Sequence, residues 1–158
     1  MADGISSLRE RFDPRIADAM ARAHATGTGL PKYLGITVVE FTAGRLVAEM
    51  EVREELLNPL GTMHGGVMAG LIDHCLGTVL YPLMKRGQWA ATTEFKLNYL
   101  AAVQKGKLVA ESTVVALTSR TAVVRVEVKN GDRLASIAQG TVLIVDPQPK
   151  PPNGERPS

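Results

Sequence analysis

The chain has 158 residues, 45% of them hydrophobic and 22% charged, with a net charge of +2; that size and balance suit one globular domain with a core of its own. Lysine and arginine form no stripe interleaved with aromatic residues, so the sequence offers nothing to bind nucleic acid. The single cysteine, Cys75, excludes an internal disulfide, and the charged start MADGISSLRERF lacks the apolar run of a signal peptide, so a reducing, cytoplasmic setting is expected.

Residues 1–34 read as a helical lead-in. Ile5, Leu8, Phe12, Ile16, Ala19, Met20 and Ala23 recur at helical spacing, Pro14 divides the run, and TGTGLP ends it. Strand-like runs at 36–42 and 46–52 flank Ala43, Gly44 and Arg45, which predicts a hairpin; Leu46, Ala48, Met50 and Val52 share one face and Glu49 and Glu51 the other. After a turn-rich loop comes an apolar helix, predicted over 65–84. Lys85 and Arg86 meet its negative end and Gly87 can take a left-handed cap. Its length would suit a membrane span, but Asp73 and His74 lie near its middle and Gly70 and Gly77 interrupt it. It reads as a buried core helix, with no membrane involved.

Four strands are predicted beyond the helix. Over 92–101, Thr93, Phe95, Leu97 and Tyr99 alternate with polar residues; KLVAESTVVAL follows at 107–117. Over 121–129, Ala122, Val124, Val126 and Val128 line one face, and the last strand, 133–145, follows the hairpin signal Asn130-Gly131. Residues 147–158 hold no apolar side chain beyond their prolines and are expected to be disordered. Residues 35–146 therefore form an α+β domain, an antiparallel sheet wrapped about one long helix that is apolar on nearly every side.

Asp73 is the anomaly of that helix. An ionised carboxylate costs several kcal/mol to bury alone, so it must meet a partner or a water-bearing cleft. Glycine at 65 and 66 strips the helix start of side chains where its N–H groups are free, and Asn58 and His64 bracket the opening. An accessible amide, an imidazole, a carboxamide and a carboxylate suit attack on an acyl carbonyl. Asp73 lies roughly 12 Å along the helix from Gly65 at 1.5 Å per residue, too far to act on the same carbonyl. An antiparallel helix from a second copy would bring its Asp73 opposite Gly65. Cys75 reads as a small apolar filler and His74, 100° of helix rotation from Asp73, points elsewhere.

The spacing Asn58-x5-His64-Gly65-Gly66-x6-Asp73, with TTEFKLNYL and the closing ASIAQGTVLIV, resembles the hotdog-fold acyl-CoA thioesterases, most closely the phenylacetate-degradation type, over about residues 35–145. The resemblance implies a six-stranded antiparallel sheet around the central helix, and homodimers that join their sheets edge to edge and commonly pair again. It implies an acyl-CoA substrate with an aromatic or medium-chain acyl group, no metal, and no cofactor beyond the coenzyme A carried by the substrate. By the same resemblance the Gly65 amide polarises the thioester carbonyl, and His64 helps to hold the carbonyl or the loop. Asp73 of the neighbouring copy is general base or nucleophile, and Asn58 orients water or thioester. Gly66 borders the substrate, and Ser119 and Arg120, in the turn Thr118–Thr121, contact the nucleotide part of coenzyme A or simply meet solvent. One departure is that Gly77 stands where some relatives carry a hydroxyl, with Thr78 turned to another face. Leu57, Leu60, Met68, Tyr81 and Met84 are expected to shape the acyl pocket. A non-catalytic acyl-CoA binding or sensing module is the alternative. A hydroxyacyl thioester dehydratase is a weaker one, since its histidine in a proline-rich loop and its helix glutamate are missing.

Overall fold

The structure, a computed structural model, describes residues 2–147. Of the tail foreseen from residue 147 onward, only Pro147 falls within it. Two helices, α1 (Ala2–Arg11) and α2 (Pro14–Thr26), part at the expected proline. Asp13 caps α2 by accepting from the Arg15 N–H at 2.9 Å, while Pro14 takes a first-turn position where its missing N–H is no loss. The Arg15 guanidinium bonds the same carboxylate and holds its pKa down at about 2. One short helix, α3 (Leu30–Leu34), occupies the stretch expected to end the lead-in. Pro31 starts it and Gly35, at φ 74°, closes it; five residues are too few for periodicity to reveal.

Six strands follow the predicted order: β1 (Thr37–Thr42), β2 (Arg45–Glu51), β3 (Trp89–Tyr99), β4 (Lys107–Leu117), β5 (Thr121–Asn130) and β6 (Arg133–Val145). They form one antiparallel sheet in the order β1-β2-β4-β5-β6-β3. Alternation holds well in β5, where Ala122, Val124, Val126 and Val128 are all buried. β3 begins at Trp89, earlier than its alternation suggested, and the β5–β6 loop consists of Gly131 and Asp132, with Asn130 still paired to Arg133.

The central helix, α4 (Gly65–Thr78), packs against β2, β3, β4, β5 and β6. Met68, Leu71, Ile72, Cys75 and Leu76 face the sheet and are buried; Leu71, Ile72 and Leu76 are wholly inaccessible. Burying each of those three side chains stabilises the fold by about 1.5–3 kcal/mol. The helix is shorter than the 65–84 foreseen. Pro82 is the cause: it has no N–H to give, and its ring would collide with the carbonyl of Thr78, the last helical residue. The chain tightens instead into a 3-10 turn, Tyr81–Leu83, with Leu83 N–H donating to Leu80 O at 2.8 Å. Residues 65–83 are long and apolar enough to cross a membrane, but they lie in the core of the sheet.

The two edges of the sheet differ. α2 lies along β1, whereas β3 pairs with β6 alone, so its eleven residues form an open edge. A bulge between Thr92 and Glu94 interrupts that edge, opposite Val142 and Thr141. Gly140, paired with Phe95, makes room for it: a Cβ there would lie 2.6 Å from both Glu94 O and Phe95 Cβ. Gly140→Ala should therefore cost about 1–3 kcal/mol by overpacking, read as a lowered urea midpoint at an unchanged m-value.

Candidate functional site

The loop before α4 is built by Asn58. Its Oδ1 accepts from the N–H groups of Leu60 (2.9 Å) and Thr62 (3.3 Å), and its Nδ2 donates to Thr62 Oγ1 at 2.8 Å. Its backbone N–H donates to Thr62 O at 2.7 Å, and Gly61 turns the chain at φ 74°. The Asn58 carboxamide is thus occupied mainly within its own loop. Leu60 stands at the tip, 87% exposed, and does not line the clefts described below.

His64 is the N-cap of α4, its exposed ring accepting the Gly66 N–H on Nδ1 at 2.9 Å. The Gly66 amide is therefore already hydrogen-bonded within the chain. The Gly65 N–H is different, for it has no acceptor among the described residues. The peptide that carries it is polarised from the other side, because His64 O accepts from Val67 N at 3.0 Å and Met68 N at 3.2 Å. With the helix dipole behind it, this amide is a preformed donor for a carbonyl oxygen or an anion. It opens on a cleft of about 360 Å³ lined by Thr62, Met68, Tyr99, Leu100 and Val103.

Asp73 faces away from the sheet and is exposed within the single chain. It borders a separate cleft of about 670 Å³ with His74, Thr78, Tyr81, Thr92 and Glu94. A core helix can carry this carboxylate because of its rotation: Asp73 lies on the strip of α4 that the sheet leaves open. His74 and Thr78, expected on other faces, border the same cleft, with His74 Nε2 3.4 Å from Thr78 Oγ1. The Thr92 hydroxyl has no hydrogen-bond partner among the described residues. Alternation alone did not reveal Thr92, because the bulge after it breaks the period of two. The Gly65 and Asp73 clefts share no lining residue, so one chain does not unite the amide with the carboxylate.

At the turn between β4 and β5, Thr118 Oγ1 accepts from Arg120 N (3.2 Å) and Thr121 N (2.9 Å), leaving Ser119 and Arg120 exposed. Ser119 lines a cleft of about 400 Å³ with Arg11, Lys85, Gln88 and Met84. The two cations there come from α1 and from the segment after the 3-10 turn, too distant in sequence to be grouped with Ser119 beforehand. Of the residues expected to shape one acyl pocket, Met68, Tyr81 and Met84 each border a different cleft. Cys75 is fully buried, and burial pushes its thiol up to about 12, which removes it as a nucleophile.

The Thioesterase superfamily profile matches residues 60–137, a span that holds α4, the lining of the Gly65 cleft and all of the Asp73 cleft but Met20. The chain is 30% identical to human acyl-coenzyme A thioesterase 13 over 142 residues, 89% of this chain and 94% of that one. It is 26% identical to the 1,4-dihydroxy-2-naphthoyl-CoA hydrolase of Listeria monocytogenes over 117 residues, 73% of this chain and 95% of the other. Among solved structures, the E. coli PaaI protein from the phenylacetic acid degradation operon superposes with a TM-score of 0.76 at 22% identity, covering 84% of this chain and 96% of that one. That likeness extends the hotdog architecture to the sheet and helix described above.

The hydrogen bonds of Asn58 make a specific demand on mutation. Asn58→Ala removes the acceptor of two backbone N–H groups, and should lower stability by about 1–3 kcal/mol, whereas Asn58→Asp, which keeps both acceptor bonds, should lose less; chemical denaturation of the two variants side by side checks the order.

Proposed function

The chain belongs to the thioesterase superfamily, and from that premise we propose that it hydrolyses acyl-CoA thioesters to a free acid and coenzyme A. The observation that carries this reading is the pairing on one helix of an amide with no acceptor among the described residues, Gly65, and a carboxylate opening on a cleft, Asp73. Neither reaches the other within a chain, so the reaction is assigned to a site shared by two copies. Gly66, Ala69, Asp73 and Gly77 form the open strip of α4, and apart from the carboxylate none has a side chain larger than methyl. Such a strip admits a second helix at close approach, and twofold antiparallel pairing sets each Asp73 against the other copy's Gly65. The open β3 edge supports the same dimer, by offering unpaired backbone groups along its length.

In the proposed reaction the thioester oxygen accepts the Gly65 N–H, which stabilises the charge that gathers there as water adds to the carbonyl carbon. Asp73 of the second copy takes the proton of that water, and the Thr92 hydroxyl beside it orients the attack. Collapse of the adduct breaks the C–S bond, and coenzyme A leaves as thiolate and is protonated. Ser119 and Arg120, with Arg11 and Lys85 at the neighbouring cleft, suit the phosphates of the nucleotide. Met20, Tyr81, Ala90 and Phe95 at the Asp73 cleft favour an apolar acyl group, aromatic or medium-chain. An aromatic group is also what the Listeria relative's name specifies.

Thiol release across aryl, phenylacetyl and medium-chain acyl-CoAs tests the activity; Asp73→Asn should lower kcat by about 10²–10⁴-fold. Absence of thiol release from every member of the panel would remove the proposal. A mixing experiment tests the shared site. Gly65→Pro deletes the amide, and His64, at ψ 130°, already has the backbone that precedes a proline. Refolded alone, Asp73→Asn and Gly65→Pro chains should both be inactive, whereas refolded together they should regain about a quarter of wild-type activity, from one intact site in each mixed dimer. No regain would place both groups in one chain's site or in none.

A further inference from the structure

Tyr99 takes no part in the scheme above, yet its hydroxyl ends on the backbone of the helix start. Its Oη donates to the Gly65 carbonyl at 2.8 Å. That carbonyl belongs to the same peptide unit as the Gly66 N–H, which donates to His64 Nδ1 at 2.9 Å. Phenol O–H, peptide C=O and N–H, and imidazole Nδ1 thus form one series. Hydrogen bonds in series polarise one another, so a donor on the carbonyl makes the amide N–H the stronger donor to the ring. With Nδ1 held as acceptor, the proton of the neutral imidazole sits on Nε2. A ring in that tautomer donates at its outer nitrogen and has no lone pair there with which to take a proton from water.

We infer that Tyr99 is a positioning residue: through the Gly65–Gly66 peptide it fixes His64 as an Nε2–H donor, which joins the Gly65 N–H on the thioester carbonyl. The inference rests on the thioesterase reading and divides the labour within it, with His64 stabilising the oxygen and Asp73 left as the base. Packing supports the coupling. A Cβ at position 65 would lie 3.0 Å from Tyr99 Oη, and one at position 66 would lie 3.2 Å from His64 Nδ1. The two glycines therefore keep both flanks of this peptide clear for the tyrosine and the histidine. Tyr99 is the last residue of β3, so the state of the imidazole is set from the strand at the open edge of the sheet.

Tyr99→Phe keeps the ring that packs on Gly65 and removes the donor. It should lower kcat by about 5- to 10-fold with KM moved less than about twofold. The tautomer is read directly from 15N-histidine correlation spectra; the chain has only three histidines, and His64→Gln assigns the signal. Wild type should show His64 with its proton on Nε2, and Tyr99→Phe should show the two tautomers mixed. A proton on Nδ1 in the wild type, an unmixed Nε2–H tautomer in Tyr99→Phe, or a wild-type kcat in that variant overturns the inference. Should the wild-type protein release no thiol at all, the thioesterase reading fails on its own, and the spectra still decide whether Tyr99 governs the ring.

Discussion

The rotation of α4 about its own axis decides what every other part of the molecule can do. Met68, Leu71, Ile72, Cys75 and Leu76 recur three and four residues apart, and their burial against five strands leaves the helix one orientation. Positions 66, 69, 73 and 77 must then face outward, whatever their chemistry. A carboxylate moved by one residue toward the core, to position 72, would enter a site with no accessible surface, where an unpaired charge costs several kcal/mol. The apolar residues of the helix thus aim Asp73 by fixing the face on which it lies. The same rotation leaves the first turn free at its end, so one packing decision exposes both the amide and the acid.

The sheet gives the site its second constraint. Its β1 edge is covered by α2, while β3 remains uncovered and carries Thr92 near one end and Tyr99 at the other. Those two residues border the Asp73 and Gly65 clefts respectively, so one strand supplies a hydroxyl to each. The bulge after Thr92, seated over Gly140, separates the two halves of the strand into different alignments. A long regular edge would invite indiscriminate pairing; an interrupted one narrows the registers that a partner strand can adopt.

Much of this architecture was legible in the sequence. Strict alternation from Ala122 to Val128 and the apolar run through Leu71 and Ile72 announced the strands and the core helix, because burial on one face leaves a period that needs no tertiary knowledge. The motif of Asn58, His64, Gly65 and Asp73 marks a candidate site for a different reason, its spacing resembling that of a known family. What escaped depended on contacts between distant segments. Pro82 stopped the helix against the carbonyl of Thr78, an effect masked by the hydrophobicity of its neighbours. The bonds of Asn58 to Leu60 and Thr62, which close its loop, are likewise not announced by its spacing from His64. Tyr99 meets Gly65 across 34 positions of sequence, and no local pattern encodes that bond.

The seclusion of Cys75 has a chemical consequence for a protein that liberates a sulfhydryl compound at each turnover. Coenzyme A in its oxidised forms exchanges readily with any accessible protein thiolate, and the resulting mixed disulfide would attach a bulky nucleotide to the surface. Here the chain's one thiol is inside the core, where burial raises its pKa to about 12, so exchange requires the helix to leave the sheet. The folded molecule is inert to the oxidised form of its product, and a chromogenic disulfide reagent added to it reports released thiol against a silent background.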